Sequence, residues 1–149
     1  MLKDNLFKYY FFRVKFFFSK PKFTRDPLKK DFKMTFNDKT IHGRIDSLIR
    51  FAQNNCKEEL IDVKFIYGCV DWECLYKNLS KKSIREHEKI HMSIIIDVSL
   101  SYPIIVAKNK NESVYKVIDG LHRVKKAYLL RLKFIKAYII PETILLTYK

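Results

Sequence analysis

The residues of this chain best equipped for chemistry lie in Asp119-Gly120-Leu121-His122-Arg123, where a carboxylate, an imidazole and a guanidinium fall within five positions. Residues 114–118 before the run read as a strand, and Leu121, Val124, Ala127 and Tyr128 recur at helical spacing after it, so a tight Asp-Gly turn joins strand to helix. That junction is a device for holding an anion. The first N–H groups of a helix have no intrahelical acceptor, and the helix dipole adds positive potential there. Gly120 allows close approach of backbone to a ligand, and His122 and Arg123 bring side-chain donors to the helix start. Asp119 can cap the helix, hold a divalent cation or accept a substrate proton.

A second pattern competes with the first. His87-Glu88-Lys89-Ile90-His91 fits H-E-x-x-H, which on a helix places His87 and His91 one turn apart with a carboxylate between them, as zinc peptidases do. Here it follows a polar segment, Lys81 to Glu86, and a third ligand such as His122 has to come from elsewhere. A solvated helix end is the plainer reading. Cys56, Cys69 and Cys74 are too few and too odd in number for a disulfide framework and fit a reducing, cytoplasmic compartment; Cys69 and Cys74, spaced C-x4-C with no second pair, read as buried thiols rather than a metal half-site.

Several elements are needed to position these groups. Ile45, Leu48, Ile49 and Ala52 fall at i, i+3, i+4 and i+7 and predict an amphipathic helix ending near Asn55. Alternation of Ile61, Val63, Phe65 and Tyr67 predicts a strand. Asp71 can cap a short helix bearing Trp72, Leu75 and Leu79, and Ser83 with Glu86 has capping-box spacing for a helix from Ile84 toward His91. Residues 93–98 read as β-rich. Ile104 to Ala107 and Val114 to Ile118, separated by a polar turn, form a hairpin, and a further strand runs from Phe134 to Ile140.

The order Tyr102-Pro103-Ile104-Ile105-Val106, turn, Val117-Ile118-Asp119-Gly120-Leu121-His122-Arg123, Ala127, apolar strand resembles the ParB/sulfiredoxin superfamily, in particular its ParB-like nuclease branch with a D-G-x-H-R signature. The resemblance covers about residues 93 to 141. It implies a compact α+β domain, a small mixed sheet with flanking helices, over residues 40–149. Gly120, His122 and Arg123 then match the phosphate-binding positions for a nucleotide or nucleic acid, and Asp119 and His122 are the groups available for phosphodiester hydrolysis or phosphoryl transfer. A nucleoside triphosphate with Mg2+ is the cofactor this implies. Leu121 stands where sulfiredoxins carry their catalytic Cys, which removes thiol repair from the list. Partitioning relatives have G-x-R-R and serine kinases D-G-H-H-R, and the Gly usual after the motif helix is Arg131.

Composition points to the same partners. Thirty Lys plus Arg against sixteen Asp plus Glu give +14, and the charge is concentrated at the two ends of the chain. Only seven of the basic residues are Arg, and the wealth of Lys, Ile, Phe, Tyr and Asn matches AT-rich codon usage, so part of the charge reflects mutational bias. Residues 1–39 form a basic aromatic extension, suited to a non-catalytic role on DNA or RNA, to an interfacial anchor or to packing on the domain. Lys8, Arg13 and Lys15 interrupt its apolar run, which falls short of the ~18 apolar residues a transmembrane helix needs.

Overall fold

In the computed structural model, residues 31–36, 39–73, 80–109, 111 and 114–148 are described, the side chains of Phe36, Lys39, Arg85 and His87 excepted. The aromatic run from Leu6 to Phe18, and Cys74, Leu75 and Leu79, lie outside them.

Four strands build the main sheet: β3 (Glu58–Asp62), β4 (Ile104–Lys108), β5 (Tyr115–Asp119) and β6 (Phe134–Pro141), in the order β3-β6-β4-β5. β4 runs parallel to β6, and β3 and β5 flank that pair antiparallel, which makes the sheet mixed. With its helices it gives the expected α+β fold. Strand β4 is the pivot. Ile104 and Val106 face one core, with Val63, Ile66, Val124 and Ala127, while Ile105 and Ala107 face the other, with Phe32, Ile45, Leu48 and Leu145. Burial on both faces explains why its apolar run is unbroken rather than alternating.

One side of the sheet is covered by α1 (Ile45–Asn55), by α5 (Glu142–Leu145) and by a hairpin of β1 (Asp31–Phe36) and β2 (Lys39–Arg44). Ile45, Leu48, Ile49 and Ala52 are the buried stripe of α1, as their spacing requires. The hairpin corrects the boundary expected at residue 39: Phe32 and Met34 are core residues, so the packed chain includes β1. The other side carries α2 (Val63–Gly68) and α4 (Leu121–Leu129), with α3 (Lys81–Asp97) against α4 through Ile95, Ile96, Met92, Leu129 and Leu130.

Two expected strands are helix. The strand read through Tyr67 stops at Asp62, whose carboxylate accepts the Phe65 N–H at 2.8 Å and caps α2. The helix read from Ile84 to His91 starts earlier and runs to Asp97, capped by Ser80 accepting from the Ser83 N–H at 3.1 Å. It absorbs the Ile94-Ile95-Ile96 run that looked β-rich. Tertiary packing of Ile95 and Ile96 overrides the local β preference of branched side chains.

Candidate functional site

Strand β5 does hand over to α4 at Asp119-Gly120. A bulge between Ile105 and Val106 shifts the β4–β5 register just before the end of β5, so Asp119 pairs with Ile105. Gly120, with φ 101°, and not Asp119, occupies the N-cap position of α4. A Cβ at Gly120 would lie 2.6 Å from Ile104 Cγ2, inside van der Waals contact. Glycine is therefore demanded twice, by the left-handed backbone and by the close approach to β4. The intimate neighbour of this glycine is the chain's own β4, not an open ligand space.

Arg123 turns inward as well. Its Nη2 lies 2.6 Å from Asp119 Oδ2, and its Nη1 donates to the carbonyls of Tyr102 and Pro103 at 3.1 and 2.9 Å. Both residues are 2% exposed. The phosphate-facing role expected of Arg123, and the proton-accepting or cation-binding role of Asp119, give way in this geometry to a buried ion pair. It fastens the first turn of α4 to the end of β5 and to the segment entering β4.

His122, 7% exposed, reaches the other way. Its Nε2 lies 2.6 Å from Nδ1 of His91 on α3, with the rings nearly parallel at 22°. The structure thus brings together one histidine from each of the two sequence patterns. His87 is on α3 in the turn before His91, with its side chain outside the described residues. Among the described residues no group of three His, Cys, Asp or Glu is placed to hold a metal.

Sequence reading missed Lys126. It lies fully buried on α4, one turn after His122, and donates from Nζ to the Ile96 and Val98 carbonyls at 3.0 and 2.5 Å. Those carbonyls close the end of α3, where a cation is favoured. Burial pulls the ammonium down to about 8, against the opposing charge of Asp97. Hydropathy offers no signal for such a residue; only its place among Val124, Ala127 and Arg123 on the inner face of α4 does.

What α4 offers to a ligand is its outer edge. A groove of about 320 Å³ opens beside Leu121, the first residue of the helix, and is lined also by Lys33 of β1, Lys116 of β5 and the turn Cys69-Val70-Asp71. Lys116 Nζ donates to the Thr35 carbonyl at 3.0 Å, which ties the hairpin across the groove. A larger depression of about 440 Å³ lies on the hairpin, lined by Asp31, Phe32, Lys33, His42, Gly43 and Arg44, and no α4 residue lines it. Cys69 is exposed, contrary to the buried thiol expected there, and Cys56 is partly exposed. Partial desolvation of the sulfur raises each thiol even so, with Glu59 adding to the effect at Cys56, which keeps both protonated at neutral pH.

No family model, curated protein or solved structure matches the chain. Among the described residues no helix is long and apolar enough to cross a membrane.

Proposed function

We propose that this chain is a ParB/sulfiredoxin-like domain that binds a nucleotide or nucleic-acid phosphate at the start of α4, in the cytoplasm. The observation that carries the reading is the groove that Lys33 and Lys116 line together with Leu121, the first residue of α4. The helix end supplies about half a positive charge and outward N–H donors, and two ammonium groups add to it. Asp119, Gly120 and Arg123 serve this site from behind by fixing where the helix begins. Asp71 lines the same groove and would be the carboxylate nearest a magnesium ion carried in with a triphosphate.

Phosphodiester hydrolysis or phosphoryl transfer is a second reading, favoured by one observation. The His91–His122 contact joins an imidazole of α3 to one in the first turn of α4, a pair that can pass a proton.

A binding screen against nucleoside triphosphates and short DNA, with product analysis, tests both readings. Binding that weakens at least tenfold in Lys116→Ala supports the site. Wild-type affinity in Lys33→Ala and Lys116→Ala alike removes it. Products that form in wild type and vanish in His122→Gln, with binding retained, support turnover, and binding without products leaves a binding domain.

A further inference from the structure

A group of aromatic rings with no part in the phosphate site lies against the outer face of α4. Tyr67, near the end of α2, stacks on Tyr128 with ring centroids 3.7 Å apart and planes within 6°, and on Trp72 at 4.8 Å and 27°. The Trp72 indole N–H donates to the Tyr67 carbonyl at 2.9 Å, which fixes the indole. Lys125 Nζ lies 5.0 Å from the Tyr67 ring centre and 5.2 Å from that of Trp72, and donates to the Tyr67 hydroxyl at 2.7 Å. Tyr128 is 40% exposed, so the stack reaches solvent at that end.

Stacked rings with a fixed ammonium beside them match the chemistry of single-stranded nucleic acid, whose bases need flat π surfaces and whose phosphates need positive charge. The stack is also continuous with the lysine groove. Leu121, Lys125 and Tyr128 are spaced i, i+4 and i+7 along one stripe of α4, and the turn that carries Trp72 also gives the groove Cys69, Val70 and Asp71. At 1.5 Å per residue, Tyr128 lies about 10 Å along the helix from Leu121. Two or three nucleotides of a strand cover that span at roughly 3.4 Å per step or more. A duplex keeps its bases stacked on one another and offers the rings no free face.

We propose that the Tyr128–Tyr67–Trp72 stack, with Lys125, is a platform for the bases of a single-stranded oligonucleotide whose phosphate enters the lysine groove. The direction of the strand rests on the phosphate reading above; the platform itself rests on the rings.

The chain has a single tryptophan, and it belongs to the stack, so its fluorescence reports base stacking directly. Full-length protein titrated with a short oligothymidylate shows saturable quenching of Trp72. Tyr128→Ala weakens binding by about 5- to 150-fold, the range for losing one stacked base, and Tyr128→Phe keeps wild-type affinity. Tyr128 is a surface residue, and circular dichroism melts of both variants confirm that they fold. Unchanged affinity in a folded Tyr128→Ala, or equal quenching by a matched duplex, overturns the platform. Sensitivity to Lys116→Ala with indifference to Tyr128→Ala leaves the groove and removes the platform, whereas the opposite pattern keeps the platform and removes the groove.

Discussion

Asp119 at the end of β5 and Arg123 in the first turn of α4 pair with neither exposed to water, and the consequences of that pairing are specific. Removing one partner strands a buried charge, so Asp119→Ala destabilises the fold by about 3–5 kcal/mol in urea denaturation. Asp119→Ala with Arg123→Met costs less than the single change, because no charge is then left alone. Gly120→Ala costs at least about 2 kcal/mol, since it combines a left-handed residue with the clash on Ile104. A loss of ligand affinity without loss of stability in these variants would contradict the supporting role assigned to them. Lys126 makes a pH prediction. Its folded value of about 8 lies below the ordinary 10.5, so between those limits the unfolded chain holds a proton that the folded chain has released. Stability from this group therefore rises with pH from about 8 to 10.5 and is lost as pH falls through 8. Wild type gains stability relative to Lys126→Met across that window, and a flat difference would refute the assignment.

Among the elements, those with a clean period were legible in the sequence. The stripe of α1, the β4–β5 hairpin, the Asp-Gly handover to α4 and strand β6 lie where spacing and turn residues put them. The misreadings share a cause. Ile61 to Tyr67 alternates across a strand–helix junction, and Ile94 to Ile96 is β-branched but helical because α4 packs on it. The site was legible as a place and not as a set of orientations. Spacing located Arg123 and His122 at the start of α4, but only the packed structure shows that one turns toward Asp119 and the other toward His91. Arg131 carries a prediction of its own. It has φ 56° after α4, with its N–H bonded to the Tyr128 carbonyl and that of Leu132 to Ala127, both at 3.0 Å. This is a Schellman turn, with arginine where glycine is favoured. Arg131→Gly therefore stabilises the fold by about 1 kcal/mol, seen as a higher midpoint in urea. A lower midpoint would mean that the arginine side chain matters more than its backbone strain.

For the molecule as a whole, the basic residues are shared between the first thirty positions and the packed domain. Nine of its thirty basic residues precede Asp31, while the lysine groove belongs to the packed domain. Deleting residues 1–30 spares β1 and its core residues, which a cut at 39 would remove. The shortened chain binds DNA more weakly and with a shallower dependence on salt, because fewer counterions are released. Nucleotide binding at α4 stays intact. An unchanged salt slope would exclude the extension from nucleic-acid contact. Phosphate binding at the first turn of α4, in the groove of Lys33 and Lys116, has a signature of its own in the backbone amides. In amide NMR of the full chain titrated with inorganic pyrophosphate, the Leu121 and His122 N–H signals shift on binding and stay still in Lys33→Ala/Lys116→Ala. Shifts confined to other segments, or none at saturating pyrophosphate, would contradict it.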